Sequence, residues 1–382
     1  MAVGGASAAK PSPTAAFTDF TVAATPPNPA GTICPGSALC SNGAAEPATG
    51  VAPTGRFYAS SENGLGGWTL AWTSSDNGLH YASTPSPNDV STGSDSVGQE
   101  SGFEPGGGDT DVAVATATNS AGNYNAYVVS LTLASIDVST STNNGATWSL
   151  NPAAALPIDD RPWVAATGAS KVCISYLTAP GILLPQVGLH VQCRSDAGSS
   201  FPQVANAYDT SAVGPAASQG GSRTGNLVFD PVNVAVDRGG AVYIAYSDNH
   251  GVSYQYSTNH GQTFSAPVQV SQGTDTAVMP WLAAGDAGKV DLVYYQAVGY
   301  SGNPEVAPSS VAWKVVMAQS IEASPTTGLA SIIYSDDQYQ NDANHKPDPV
   351  YNCTGADTDT STCNHTNVAT QTSGNGIFKK GK

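Results

Sequence analysis

Positive charge is scarce in this chain. Its 382 residues carry 13 Lys plus Arg against 29 Asp plus Glu, a net charge of −16, and only 11% of residues are charged. Nucleic-acid binding leaves a basic footprint, and so does attachment to anionic membranes, so both partner classes are set aside. No long segment repeats apolar residues at helical spacing, which argues against a helical fold. No apolar run is long enough to span a bilayer as a helix. The opening residues MAVGGASAAKPSP lack the apolar core of a secretion leader, so a mature chain with its leader removed is expected. No Cys-x-x-Cys or Cys/His ligand spacing occurs, which sets aside a zinc site.

The six cysteines instead fall into three close pairs, Cys34 with Cys40, Cys173 with Cys193, and Cys353 with Cys363. Even numbers in nearby pairs suggest disulfides and an oxidising, extracellular location. Cys173 and Cys193 lie in the runs KVCISY and LHVQC, which read as neighbouring strands of a hairpin. Two Asn-x-Thr sequons, at Asn352 and Asn364, would be acceptors only in a host that glycosylates. Glycine (41) and proline (26) are plentiful, as many short strands and tight turns require.

Four eight-residue stretches repeat: SSDNGLHY (74–81), STNNGATW (141–148), RSDAGSSF (194–201) and STNHGQTF (257–264). Their glycines, Gly78, Gly145, Gly198 and Gly261, are 67, 53 and 63 residues apart (145−78, 198−145, 261−198). The side chains of Asp76, Asn143, Asp196 and Asn259 are expected to accept backbone N–H groups a residue or two ahead. The following glycine supplies positive φ, and the terminal aromatic anchors the next strand. A second element alternates with the first: a short apolar strand, a Gly/Asn/Asp turn and an alternating strand, as in RPWVAATGASKVCISY (161–176) and FDPVNVAVDRGGAVYIAYSD (229–248). The pair predicts the first two strands, then the third and fourth, of successive four-stranded blades.

The eight-residue unit resembles the Asp box of the sialidase-like, BNR-repeat β-propellers of secreted bacterial proteins. The resemblance implies an all-β propeller of about six four-stranded blades, with the boxes on the face opposite the binding site. Five blades are recognisable over 46–325. Residues 1–45 form an extension whose strand FTDFTVAA would help close a last blade, and 326–382 form a polar, disulfide-containing tail or partial blade.

Sialidases of this fold use three arginines, a Tyr–Glu pair and an Asp. This chain has five arginines. Arg56, Arg194 and Arg238 fall in turns on the box face, which leaves Arg161 and Arg223 and no triad. The expected function is therefore a secreted propeller that binds glycan or protein, or assembles with itself on a surface, without sialidase turnover. The alternative is a glycoside hydrolase with an upper-face carboxylate pair. Asp109, Asp111, Asp159, Asp160 and Arg161 are the catalytic candidates. The same four aspartates would suit calcium, which takes several oxygen ligands, but they would equally suit strand-end turns with an Asp–Arg pair. Arg161, Arg223, Trp163, Trp281 and His250 are the ligand-binding candidates, the tryptophans as sugar platforms or as core.

Overall fold

The computed structural model describes residues 45–62, 69–88, 108–132, 136–152, 159–178, 188–198, 233–248, 251–302, 304, 307–320 and 332–339. They form five antiparallel sheets in sequence order. The first holds β1 (Ala45–Val51), β2 (Phe57–Glu62), β3 (Leu70–Ser74) and β4 (Ala82–Ser83). The second holds β5 (Thr110–Thr118), β6 (Tyr124–Leu131), β7 (Ile136–Ser141) and β8 (Ser149–Pro152). The third holds β9 (Asp159–Thr167), β10 (Lys171–Thr178) and β11 (Gly188–Arg194). The fourth holds β12 (Val234–Val236), β13 (Val242–Asp248), β14 (Gly251–Ser257) and β15 (Val268–Gln269). The fifth holds β16 (Ala277–Ala284), β17 (Val290–Ala297), β18 (Trp313–Ser320) and β19 (Ile332–Tyr339). Every sheet is a meander, and the first strands β1, β5, β9, β12 and β16 lie against one another in succession. This is the arrangement of propeller blades.

The two-residue period of a strand explains the stacking. In β13, Val242, Ile244 and Tyr246 enter one cluster with Cys173 and Leu189 of the third sheet and Val234 of their own. The intervening Tyr243 and Ala245 enter another with Leu282, Leu292, Tyr294 and Val316 of the fifth sheet. Likewise Val172, Ile174 and Tyr176 of β10 face Tyr127, Val129 and Val138 of the second sheet. Tyr58 of β2 meets Val112, Val128 and Trp148. A sheet apolar on both faces needs a neighbour on each side, and each such buried side chain contributes about 1.5–3 kcal/mol.

Cys173 and Cys193 are direct cross-strand partners and form a disulfide with Cα atoms 4.1 Å apart. Cys34, Cys40, Cys353 and Cys363 lie outside the described residues, as do the sequons and the strand FTDFTVAA. The fourth strand of the fifth sheet, Ile332–Tyr339, lies beyond residue 325.

The repeated turns follow the third strands. Their geometry differs in reach from the expectation. Oδ1 of Asp76, Asn143 and Asn259 accepts the N–H four residues ahead, from His80, Thr147 and Thr263, each at 2.9 Å. The serine two residues before takes the glycine N–H: Ser74 from Gly78 at 3.0 Å, Ser141 from Gly145 at 2.8 Å, Ser257 from Gly261 at 2.9 Å. Two consecutive left-handed residues make this possible, such as Asn144 (φ 62°) before Gly145 (φ 83°). The remaining side-chain atom selects its partner. Asn143 and Asn259 donate Nδ2 to Thr147 and Thr263, each at 2.8 Å. Asp76 meets the His80 ring at 2.6 Å, and that bond above all holds its carboxyl well below the usual carboxylate range. The first-to-second-strand turns lie on the same face, since Asn123 accepts from Asn144 Nδ2 at 2.8 Å and Ser170 donates to the Ser195 carbonyl at 2.8 Å.

Candidate functional site

With one face given to turns, the opposite ends of the sheets form the mouth, where the first strands begin. Three of those strands bulge near their start. The register breaks at Glu46–Pro47 in β1, at Arg161–Pro162 in β9 and at Met279–Pro280 in β16. Proline cannot donate to the ladder, so a bulge absorbs it. At the third of these Met279 is held at φ 54°, a conformation uncommon for a side chain of its size and a mark of local strain.

Near the start of the first strand, four of the five sheets place one side chain at a matching station. It is Asp111 in β5, Trp163 in β9, Asn233 immediately before β12 and Trp281 in β16. The two polar stations are clamps. Asp111 Oδ2 accepts the Val164 N–H of the next sheet at 2.9 Å, and Oδ1 accepts that of Val112 at 2.8 Å. Asn233 accepts the Leu282 N–H at 2.9 Å and donates to the Leu282 carbonyl at 2.6 Å. The two tryptophans meet edge to face, centroids 4.7 Å apart. Trp163 packs on the core between the third and fourth sheets, and its buried indole N–H finds no acceptor among the described residues. Trp281 remains 44% exposed.

Burial pushes the Asp111 carboxyl up to about 6, against the lowering effect of its two backbone donors. The residue keeps part of its surface, but the carboxylate is enclosed, and desolvation of that group decides the direction. Asp109 sits half-buried just before β5, and its carbonyl accepts the Leu131 N–H at 2.8 Å. Asp159, Asp160 and Arg161 open β9 at the mouth, Asp159 opposite Thr178 and Asp160 opposite Leu177; only their backbone is described. Arg223 and His250 fall outside the described residues. Among the described residues no three His, Cys, Asp or Glu side chains converge as a metal site requires. Arg56 and Arg238 lie on the turn face, Arg56 donating to Thr73 Oγ1 at 3.3 Å and Arg238 pairing with Asp286. Arg194 ends β11 at its turn.

The sequence reading missed the surroundings of Trp281. Trp281, Val293 and Met317 are cross-strand partners in one row, and Tyr295 and Val315 form the next. Trp281, Tyr295, Val293, Met317 and Met279 are all exposed, between 37% and 50%. The opposite face of the same sheet is core. The signal was present in VDLVYYQA, which is apolar on both faces.

No family model matches the sequence, and no curated protein matches it. Solved structures do. A Hadza microbial sialidase, Hz136, aligns over 77% of this chain and 59% of its own length, with 11% identity and a TM-score of 0.42. An α-L-arabinanase of Penicillium chrysogenum complexed with arabinobiose aligns over 79% and 96%, with 14% identity and a TM-score of 0.41. The endosialidase of phage phi92 aligns over 77% and 57%, with 11% identity and a TM-score of 0.41. This chain thus spans under two thirds of the two sialidases. The consecutive meander sheets, packed first strand against first strand, and the repeated turns after their third strands make this protein an all-β fold of propeller blades.

Proposed function

We propose that this propeller is an extracellular carbohydrate-binding module that does not cleave its ligand. The carrying observation is the exposed strip on the face of the fifth sheet turned from the core, from Trp281 at mid-strand to Tyr295 nearer the mouth, 44% and 40% exposed. A Trp ring braced edge-on by a second Trp is a rigid apolar plate, suited to the C–H face of a sugar. Exposed apolar patches on a soluble surface mark binding sites. The Cys173–Cys193 disulfide fits an oxidising compartment.

The test is titration of the full-length protein against a glycan panel, beside an aryl glycoside panel read for leaving-group release. The expected result is saturable binding without release, weakened about tenfold in Trp281→Ala, the effect of about 1.4 kcal/mol of lost contact. Turnover of any substrate overturns the reading, and so does binding that Trp281→Ala leaves unchanged. Concentration-dependent self-association that masks Trp281 would replace carbohydrate by a second copy as the occupant.

The second reading is a glycoside hydrolase. Asp109, Asp159 and Asp160 stand at the starts of β5 and β9, whereas both Asp111 oxygens are bonded to backbone N–H groups. In that reading a pair among Asp109, Asp159 and Asp160 supplies acid and base, and Asp159→Asn abolishes release in a folded protein. A calcium site at the same aspartates would appear as a melting temperature lowered by chelator and restored by calcium.

A further inference from the structure

Two of the repeated turns carry the dipeptide Asn-Gly, at Asn77–Gly78 and Asn144–Gly145. In an Asn-Gly pair the glycine nitrogen can attack the carboxamide carbon of the asparagine. A nitrogen–carbon bond forms, the carbon–nitrogen bond of the carboxamide breaks, and ammonia leaves with the proton of the glycine N–H. Water then opens the succinimide at either carbonyl, giving aspartate or isoaspartate. Water is the only co-reactant.

Both pairs share a backbone, with φ 62° at each asparagine and 84° and 83° at the glycines. Both glycine N–H groups are held by serine, and ring closure requires that bond to open. The two sites differ in what resists opening. Asn144 donates Nδ2 to Asn123 Oδ1 at 2.8 Å, Gly145 is buried, and the turn ends on Trp148, which is 3% exposed within the core between the first two sheets. Asn77 is exposed and its amide makes no hydrogen bond among the described residues, resting only against Gly55, where a Cβ would come within 2.3 Å of its Oδ1. The Gly78 N–H bond to serine is longer, 3.0 Å against 2.8 Å. This turn ends on Tyr81, which is only half-buried.

We propose that Asn77 is a self-modification site, converted to aspartate or isoaspartate in the native protein, and that the same dipeptide at Asn144 is protected by its turn. Conversion at Asn77 adds a carboxylate beside the Asp76–His80 pair on the turn face in either product, and isoaspartate also lengthens the backbone by one methylene. The mouth is left unaltered.

The test is incubation of the full-length protein at mildly alkaline pH, followed by peptide mapping with isoaspartate detection. Native protein should convert Asn77 about tenfold faster than Asn144, the effect of one retained hydrogen bond on a local opening equilibrium. Denatured protein should convert the two alike. Ser74→Ala should speed Asn77, and Asn123→Ala should bring Asn144 toward the Asn77 rate. Should a variant misfold, amide exchange in the unmodified protein reads the same difference, with Gly78 exchanging before Gly145. Equal native rates, a faster Asn144, or an inert Asn77 in a protein that converts when denatured would each overturn the proposal.

Discussion

Replacing Asp111 by asparagine should stabilise this protein at neutral pH and do so in a pH-dependent way. The carboxyl is raised from 3.8 to about 6 on folding. A raised acid stabilises the fold fully below its unfolded value, and that contribution is lost as pH rises through the folded value. Above pH 6 the fold therefore carries an enclosed carboxylate at a cost of about 3 kcal/mol, from about 1.4 kcal/mol per unit over the shift. Because Asp111 keeps part of its surface, about 2–3 kcal/mol is the expectation. Asparagine keeps an oxygen for the Val164 N–H and, like the protonated carboxyl it replaces, gives up the acceptor of the Val112 N–H. Asn233 shows the outcome at the matching station, with one bond accepted from Leu282 and one donated to it. Urea unfolding of both proteins at intervals from about pH 4 to pH 7.5 reads the difference. Asp111→Asn should match wild type near pH 4 and exceed it by about 2–3 kcal/mol above pH 6. A difference that stays flat across this range refutes the desolvation argument. A variant weaker at every pH refutes the equivalence with Asn233.

His190 gives the opposite slope. Burial lowers it from 6.5 to about 4, so its share of stability is present above pH 6.5 and lost as pH falls through about 4. With Asp111 removed, stability should therefore drop more steeply on acidification than in wild type, which the same urea series measures. Replacing both Cys173 and Cys193 by alanine opens a link across 20 residues of sequence and should cost about 3 kcal/mol, read as a lower urea midpoint. Ser141→Ala removes the acceptor of the buried Gly145 N–H and should cost about 1–3 kcal/mol. Ser257→Ala removes the acceptor of the half-buried Gly261 N–H in the fourth sheet and should cost less than Ser141→Ala.

The parts legible in the sequence were those written locally. The turns announce themselves because serine, Asp or Asn, and glycine must stand at fixed offsets for their bonds to close. The Cys173–Cys193 pair was legible because both residues sit in short strand-like runs. The mouth was legible only as a list. Trp163 and Trp281 are 118 residues apart (281−163) and belong to the third and fifth sheets, so only the packed arrangement of the sheets brings the rings together. Asp111 read as a candidate acid or metal ligand, yet its oxygens are taken by backbone N–H groups, a use decided by the neighbouring strand. The bulges were overlooked although Glu-Pro, Arg-Pro and Met-Pro mark them, since a proline at a strand's start is ordinarily no anomaly.

The alternation at the mouth makes the sheets unequal neighbours. From the second sheet to the fifth the order is clamp, Trp, clamp, Trp, and the first sheet, with Ala48 after its Glu46–Pro47 bulge, stands outside it. The most alike turns obey it too, STNNGATW in the second sheet and STNHGQTF in the fourth, with glycines 116 residues apart (261−145). The third and fifth sheets share Pro-Trp at the bulge. Over these four sheets the structural unit is a couplet, one sheet with a polar clamp and one with an indole. A propeller shortened or extended by one sheet would set Trp beside Trp or clamp beside clamp. One changed by a couplet would keep every junction it already has.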